Sequence, residues 1–410
     1  MHAWGPERVA AAAGARLAGD GAAGHGPRRA VIDSREVTHG DLFVGLRGES
    51  VDGGRFAAQA LAAGAWGVLV GAEHADGLAG TVLAADDPLR ALQQLATAWR
   101  RELGARVVGI TGSTGKTSTK DLLAAMLRTH RRTVATPQNL NTEIGLPLTV
   151  LGAPADTEVL VLEMAMRGAG QIAELARIAE PDVGVITNVG PVHLELLGSL
   201  EAIREAKLEL VRNLRPGGTA IVPAELLEHV PGAITPPDDL GDLEIRAGGV
   251  ESAAHMRANA RTALAAARAL GVEPHGLVEV ELSARRGQRI ELDSGAVVVD
   301  DCYNANPMSM RAALDELSRA PGRKVAVLGD MLELGPDEQR FHEEIGAYAR
   351  ERADVLVTVG PLAAAMAGDH AAPDATAAAR LVRGLVEPGD TVLVKASRGV
   401  GLEAVAEALV

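Results

Sequence analysis

The 410-residue sequence predicts an α/β protein of three domains, and three observations carry that reading. Short, near-continuous apolar runs recur at 107–110, 159–162, 183–186 and 219–222, with helical stretches between them. Such runs suit strands of a parallel sheet covered by helices on both faces, where every side chain of the strand is buried. A second alternation of this kind begins at Val297 and continues through 324–328, 355–359 and 391–394. The chain is also long enough for two to three domains, each with its own core.

Taken in order, residues 1 to about 83 read as a small α/β unit with short strands at 30–32, 42–45 and 66–70. Asp86-Asp-Pro88 then starts a helix through Arg101, because aspartate before proline suits a first helical turn. The central unit, 84–294, contains the first alternation. Within it, residues 223–255 form a loose stretch of weak periodicity that includes Pro236-Pro-Asp-Asp239, and a helix over about 256–270 follows. The third unit, 295–410, repeats strand and helix in a Rossmann-like pattern.

Bulk composition excludes several classes. Hydrophobic residues make up 47% and charged residues 23%, as in ordinary soluble domains. A net charge of −14 without any Lys/Arg-rich block argues against nucleic-acid binding, although a local site can still hold an anionic small molecule. The single cysteine, Cys302, rules out an intramolecular disulfide and a multi-cysteine zinc site. Glu7 and Arg8 before a short Ala-rich stretch make a poor signal peptide. No apolar run reaches the roughly eighteen residues of a transmembrane segment. A cytoplasmic monomer is expected.

The chemistry begins at 107–118, where the strand VVGI runs into Thr111-Gly112-Ser113-Thr114-Gly115-Lys116-Thr117. The glycines let backbone N–H groups approach a polyphosphate, Lys116 adds a charge, Thr117 a hydroxyl for Mg²⁺, and the helix opening there its dipole. The loop is shorter than GxxxxGK[ST], since Ile110 stands where that pattern has its first glycine. It still fits an ATPase.

Glu163 closes the strand VLVLE, where sheet carboxyl ends meet ligands; it suits a Mg²⁺ ligand or a solvated cap. His193 follows the next strand and is either polar surface or a metal ligand. Lys207 is anomalous. On a helix over 200–211, positions 200, 203, 207, 210 and 211 share one face and read Leu, Ile, Lys, Leu and Val. A buried lysine loses its charge or finds a partner, and a neutral amine can take up CO₂ to become an anionic carbamate ligand. A snorkelling lysine is the alternative.

In the third unit, Asn304 and Asn306 suit turns or the edges of a base and ribose, and Asp330 suits a ribose hydroxyl. Arg398, after the last long strand, suits a carboxylate or a sheet cap.

Together these segments resemble the Mur ligase family over almost the whole chain. The resemblance rests on Asp33-Ser-Arg35 with Gly40-Asp-Leu-Phe-Val-Gly-Leu-Arg-Gly48, the phosphate loop, Asn139-Leu-Asn-Thr-Glu-Ile-Gly-Leu-Pro147, Glu163-Met-Ala-Met and Thr187-Asn-Val-Gly-Pro-Val-His193. Asp301-Cys-Tyr-Asn-Ala-Asn-Pro-Met-Ser-Met310 and Gly329-Asp-Met-Leu-Glu-Leu-Gly335 are its most specific parts. It implies an ATP-dependent amide ligase that adds D-Ala-D-Ala to UDP-N-acetylmuramoyl-tripeptide through an acyl phosphate. By the same resemblance, residues 111–117 hold ATP, and Thr117 and Glu163 hold one Mg²⁺. His193 and a carbamylated Lys207 serve a second Mg²⁺, so Lys116, His193 and Lys207 are the expected catalytic residues. Asn306 and Asp330 meet the adenosine, Ser34 and Arg35 lie near the uridine end, and Arg398 touches substrate.

One departure is a short segment between Pro223 and His255, where the family's central domain normally continues through more strands. Competing readings are another Mur-type or folylpolyglutamate-type amide ligase, or an inactive nucleotide-binding paralogue. The DSR and GDLFVGLRG segments argue against the folate type. Retained Lys116, Glu163, His193 and Lys207 argue against loss of activity.

Overall fold

Strand–helix alternation builds three main sheets, as the periodicity predicts. The computed structural model describes residues 1, 3–19, 25–249 and 253–410. In the central sheet the strands are, in chain order, Arg106–Thr111, Thr133–Ala135, Val159–Glu163, Val183–Ile186 and Thr219–Ile221. They lie side by side as fifth, fourth, first, third, second, and all are parallel. The order reverses at the first strand, so its carboxyl end opens the crevice where doubly wound sheets take ligands. Register places Glu163 beside Ile110 and Ile186 beside Thr111, which brings three strand ends to one edge.

The helix Lys116–Arg128 leaves that edge and packs against Ala254–Ala269. Leu122, Leu123, Met126 and Leu127 meet Met256, Ala263 and Leu264 in one buried cluster. Each fully buried Leu or Met contributes roughly 1.5–3 kcal/mol. This packing fixes the helix start, and with it the loop before it.

The first sheet holds Arg16–Leu17, Ala30–Val31, Leu42–Val44, Gly67–Gly71 and Thr81–Ala85, ordered first, fifth, fourth, third, second. Only its two-residue first strand is antiparallel. The helix Pro88–Leu103 joins this sheet to the central one. Its Trp99 packs edge-to-face on Trp4 at 5.4 Å, and its buried Arg100 donates to the Ala179 carbonyl at 2.8 Å. Leu69 and Leu83 therefore share a core with Leu160 and Leu162.

The third sheet holds Gln288–Glu291, Val297–Asp300, Lys324–Gly329, Val355–Val359, His370–Ala372 and Thr391–Lys395. Its order is first, second, sixth, third, fourth, fifth, with an antiparallel first strand.

Two expectations need correction. The stretch 223–255 is not wholly loose, since Leu243–Arg246 pairs in parallel with Gly276–Glu279 as a two-stranded sheet. Its alternation is too short and too exposed to register as a strand in the sequence. On the lysine-bearing helix, Ile203 and Leu210 are buried, but Leu200 is 49% exposed because it opens the helix Leu200–Arg212 beyond the sheet. No helix among the described residues is long and apolar enough to cross a membrane.

Candidate nucleotide and metal site

The loop after Arg106–Thr111 is shaped by two glycines and braced by residues 187–190. Gly112 has φ 154°, and a Cβ there would lie 1.8 Å from Thr187 Oγ1. Gly115 has φ 78° immediately before the helix, and a Cβ there would lie 2.4 Å from Asn259 Oδ1. The Thr187 hydroxyl donates to the Thr114 carbonyl at 2.6 Å. Asn188 Oδ1 accepts from Thr114 N–H at 2.9 Å, and Ser113 Oγ accepts from Gly190 N–H at 2.8 Å. These bonds hold the loop open from behind, leaving the start of a thirteen-residue helix facing the crevice. Lys116 Nζ donates to the Gly112 carbonyl at 2.7 Å. Burial lowers its pKa; the nearby Glu163 charge opposes that, and Arg286 adds to it.

Glu163 is 2% exposed and asymmetrically used. Its Oε1 accepts from Asn141 Nδ2 at 2.8 Å, while Oε2 is buried without a hydrogen-bond partner. A buried carboxylate oxygen left open in this way is costly unless something positive completes it.

Lys207 is also 2% exposed, and among the described residues its ammonium has no hydrogen-bond or ion-pair partner. Burial, reinforced by the Lys116 charge, pushes its pKa well below the ordinary lysine value. The side chain is thus enclosed along its length rather than laid over the helix surface. His193 is part-buried, and its Nδ1 is hydrogen-bonded to Glu333 Oε2. Burial lowers its pKa, the Glu333 carboxylate opposes that, and the charges of Lys116 and Lys207 reinforce it. Strand order and register bring Lys116, Glu163 and the loop carrying His193 to one edge of the central sheet, and the Lys116 charge bears on both His193 and Lys207.

A residue that the sequence did not single out, just before the strand Gln288–Glu291, also reaches the loop. Arg286 Nη2 donates to Thr117 Oγ1 at 3.0 Å, and its guanidinium lies 3.9 Å from the Tyr303 ring centroid. Arg398 lies 5.5 Å from the same ring, which ties this candidate residue to the phosphate loop through Tyr303 and Arg286. Nothing in the periodicity around 283–289 marks Arg286, because its partner stands 169 positions earlier.

Asn306 is the N-cap of Pro307–Ser318, its side chain accepting from Ser309 N–H at 2.9 Å. It therefore shapes a turn whose Met308 lies against Gly190 behind the phosphate loop. Asp330 is buried and accepts from Ala363 N–H at 2.7 Å. Arg35 is 84% exposed and paired with Asp33. Among the described residues, no hydrogen bond or ion pair links Ser34 or Arg35 to the central cluster.

Residues 30–100 match the model described as Mur ligase family, catalytic domain; 110–230 match the Mur ligase middle domain; and 285–398 match the Mur ligase, glutamate ligase domain. The chain is 38% identical to UDP-N-acetylmuramoyl-tripeptide–D-alanyl-D-alanine ligase of Bacillus subtilis, over 92% of each chain. The chain belongs to the Mur ligase family. The Escherichia coli ligase of the same name is 32% identical, again over 92% of each chain. Among solved Mur ligases, MurF from Acinetobacter baumannii superposes with a TM-score of 0.86 at 28% identity, covering 99% of this chain and 98% of that one. MurF from Thermotoga maritima in complex with ADP gives 0.81 at 32% identity, covering 93% and 97%. Strand ends, phosphate loop and third unit thus sit in a known ligase architecture over essentially the full chain.

Proposed function

We propose that this Mur ligase joins D-alanyl-D-alanine to UDP-N-acetylmuramoyl-tripeptide at the expense of ATP, as a cytoplasmic monomer in peptidoglycan precursor synthesis. The observation that carries the reading is the cluster beside the phosphate loop: Lys116, Thr117, Glu163, His193 and Lys207 converge at the switch point of the central sheet. The similarity to ligases of that name over 92% of the chain supports the substrate assignment. Division into units at about residues 83 and 294 belongs to the same reading, with UDP-sugar, ATP and acceptor each held mainly by one unit.

The donor set fits Mg²⁺. Hard cations take oxygen ligands, and the open Glu163 Oε2 and the Thr117 hydroxyl supply two. A second ion would use His193 and Lys207, provided that Lys207 is carbamylated: the neutral amine adds to CO₂, releases a proton and becomes a carbamate whose single negative charge is shared by two oxygens. Its burial and lack of a partner favour that state. Bound there, Mg²⁺ would screen the repulsion between the tripeptide carboxylate and the triphosphate.

The protein's own groups then act as follows. The backbone N–H groups of Gly115 and Lys116 at the helix start cradle the phosphates, and Lys116 leaves the Gly112 carbonyl for the β- and γ-oxygens. The tripeptide's terminal carboxylate attacks the γ-phosphorus, forming the acyl phosphate and releasing ADP. The free amine of D-Ala-D-Ala attacks the acyl carbon, forming the amide and releasing phosphate. Asn306 and Asp330 are assigned to the adenosine, Ser34 and Arg35 to the uridine end, and Arg398 to a substrate carboxylate. Holding the three substrates in line accounts for up to roughly 7–11 kcal/mol of the barrier.

Isotope transfer tests this route. Tripeptide labelled with ¹⁸O in its terminal carboxylate is expected to pass one labelled oxygen to the released phosphate. Unlabelled phosphate alongside amide product would exclude the acyl phosphate.

A further inference from the structure

Six described residues other than glycine have left-handed backbone, and two of them, His193 (φ 54°) and Glu333 (φ 63°), are in direct contact. One follows a strand of the central sheet and the other a strand of the third. Such a conformation costs a non-glycine residue roughly 1–3 kcal/mol, and it persists where its surroundings impose it. Here each residue is part of what holds the other. Glu333 Oε2 is hydrogen-bonded to His193 Nδ1, and Glu333 Oε1 lies 3.9 Å from Arg167 Nε. Two residues after the histidine, Glu195 N–H donates to the Glu333 carbonyl at 3.4 Å. Two residues after the glutamate, Gly335 (φ 71°) allows the close approach, since a Cβ there would lie 3.1 Å from Glu195 N.

A carboxylate only accepts hydrogen bonds, so the proton of a neutral His193 ring sits on Nδ1. That leaves the Nε2 lone pair free, and among the described residues Nε2 has no hydrogen-bond partner. We propose that Glu333 is a positioning residue that fixes the tautomer and orientation of His193, so that the third unit completes a metal-binding group of the central unit by docking on it. The inference rests on the reading of His193 as a metal ligand. Its consequence is that metal affinity depends on the third unit being in place. A carboxylate behind a ligating imidazole commonly acts this way.

The test measures Mn²⁺ binding by electron paramagnetic resonance, with a non-hydrolysable ATP analogue present. It uses the full chain and its Glu333→Ala, Glu333→Gln, His193→Ala and doubly substituted forms. Glu333→Ala is expected to weaken Mn²⁺ binding by roughly 10–100-fold. Glu333→Gln, which still accepts from Nδ1–H, should lose less. In the His193→Ala background, removing Glu333 should add no further loss. Unchanged Mn²⁺ affinity in Glu333→Ala, even with a lowered melting temperature, would overturn the proposal, as would losses that simply add. If the unsubstituted chain binds neither Mn²⁺ nor the analogue, the functional reading itself fails.

Discussion

Lys207→Met is expected to yield a protein that is more stable and turns over far more slowly. The native ammonium is buried, unpartnered and pushed towards neutrality by burial and by Lys116. Methionine fills similar volume without a polar head, so removing the desolvated amine should gain about 1–3 kcal/mol in metal-free, CO₂-depleted buffer. The advantage has a defined pH dependence. The unfolded chain binds a proton at Lys207 below the ordinary value of 10.5, while the folded chain does so only at lower pH. Between those values the unfolded state holds more protons, so native stability falls as pH falls, and the methionine variant escapes that loss. Turnover should drop by at least ~10²-fold, the scale of removing one group that stabilises transferred charge. In Lys207→Ala, which leaves space, a short carboxylic acid should restore part of it. Melting curves against pH with phosphate-release assays check both halves, and full turnover in Lys207→Met would sink the carbamate assignment.

Gly112→Ala should remove nucleotide binding by a different route. Its Cβ would lie 1.8 Å from Thr187 Oγ1, and that hydroxyl is tied to the Thr114 carbonyl at 2.6 Å. The alanine must break the brace, and a φ of 154° already disfavours it. We expect ATP affinity to fall by more than ~100-fold and stability by about 1–3 kcal/mol, the scale of one strained residue or one lost buried hydrogen bond. Gly104→Ala is the control: it also has positive φ, at 62°, but its added Cβ meets nothing within 4 Å. That variant should lose about 1–2 kcal/mol and bind ATP normally. Titration calorimetry on both variants separates backbone strain from damage to the site.

Local chemistry explains what could be read from the sequence. Apolar runs declare buried parallel strands, and a loop of two glycines, lysine and threonine between strand and helix declares a phosphate site. Glu163 was legible because it ends the neighbouring strand, and Lys207 because it interrupts an apolar helical face. What escaped depends on distant parts of the chain meeting. Arg286 and Glu333 gain their meaning from Thr117 and His193, which stand 169 and 140 positions away. Neither lies in a periodic stretch that would mark it. Leu243–Arg246 escaped because a four-residue strand with two exposed positions carries little alternation. Asn306 shows the limit of residue-type reasoning, since its side chain serves as a helix cap whatever else it meets.

The most direct measurement is phosphate release from ATP with UDP-N-acetylmuramoyl-tripeptide, with and without D-Ala-D-Ala, while the product mass is followed. The account predicts sustained release only when both acceptor substrates are present, matched by pentapeptide product. Tight ATP binding with no release in the complete mixture would contradict it.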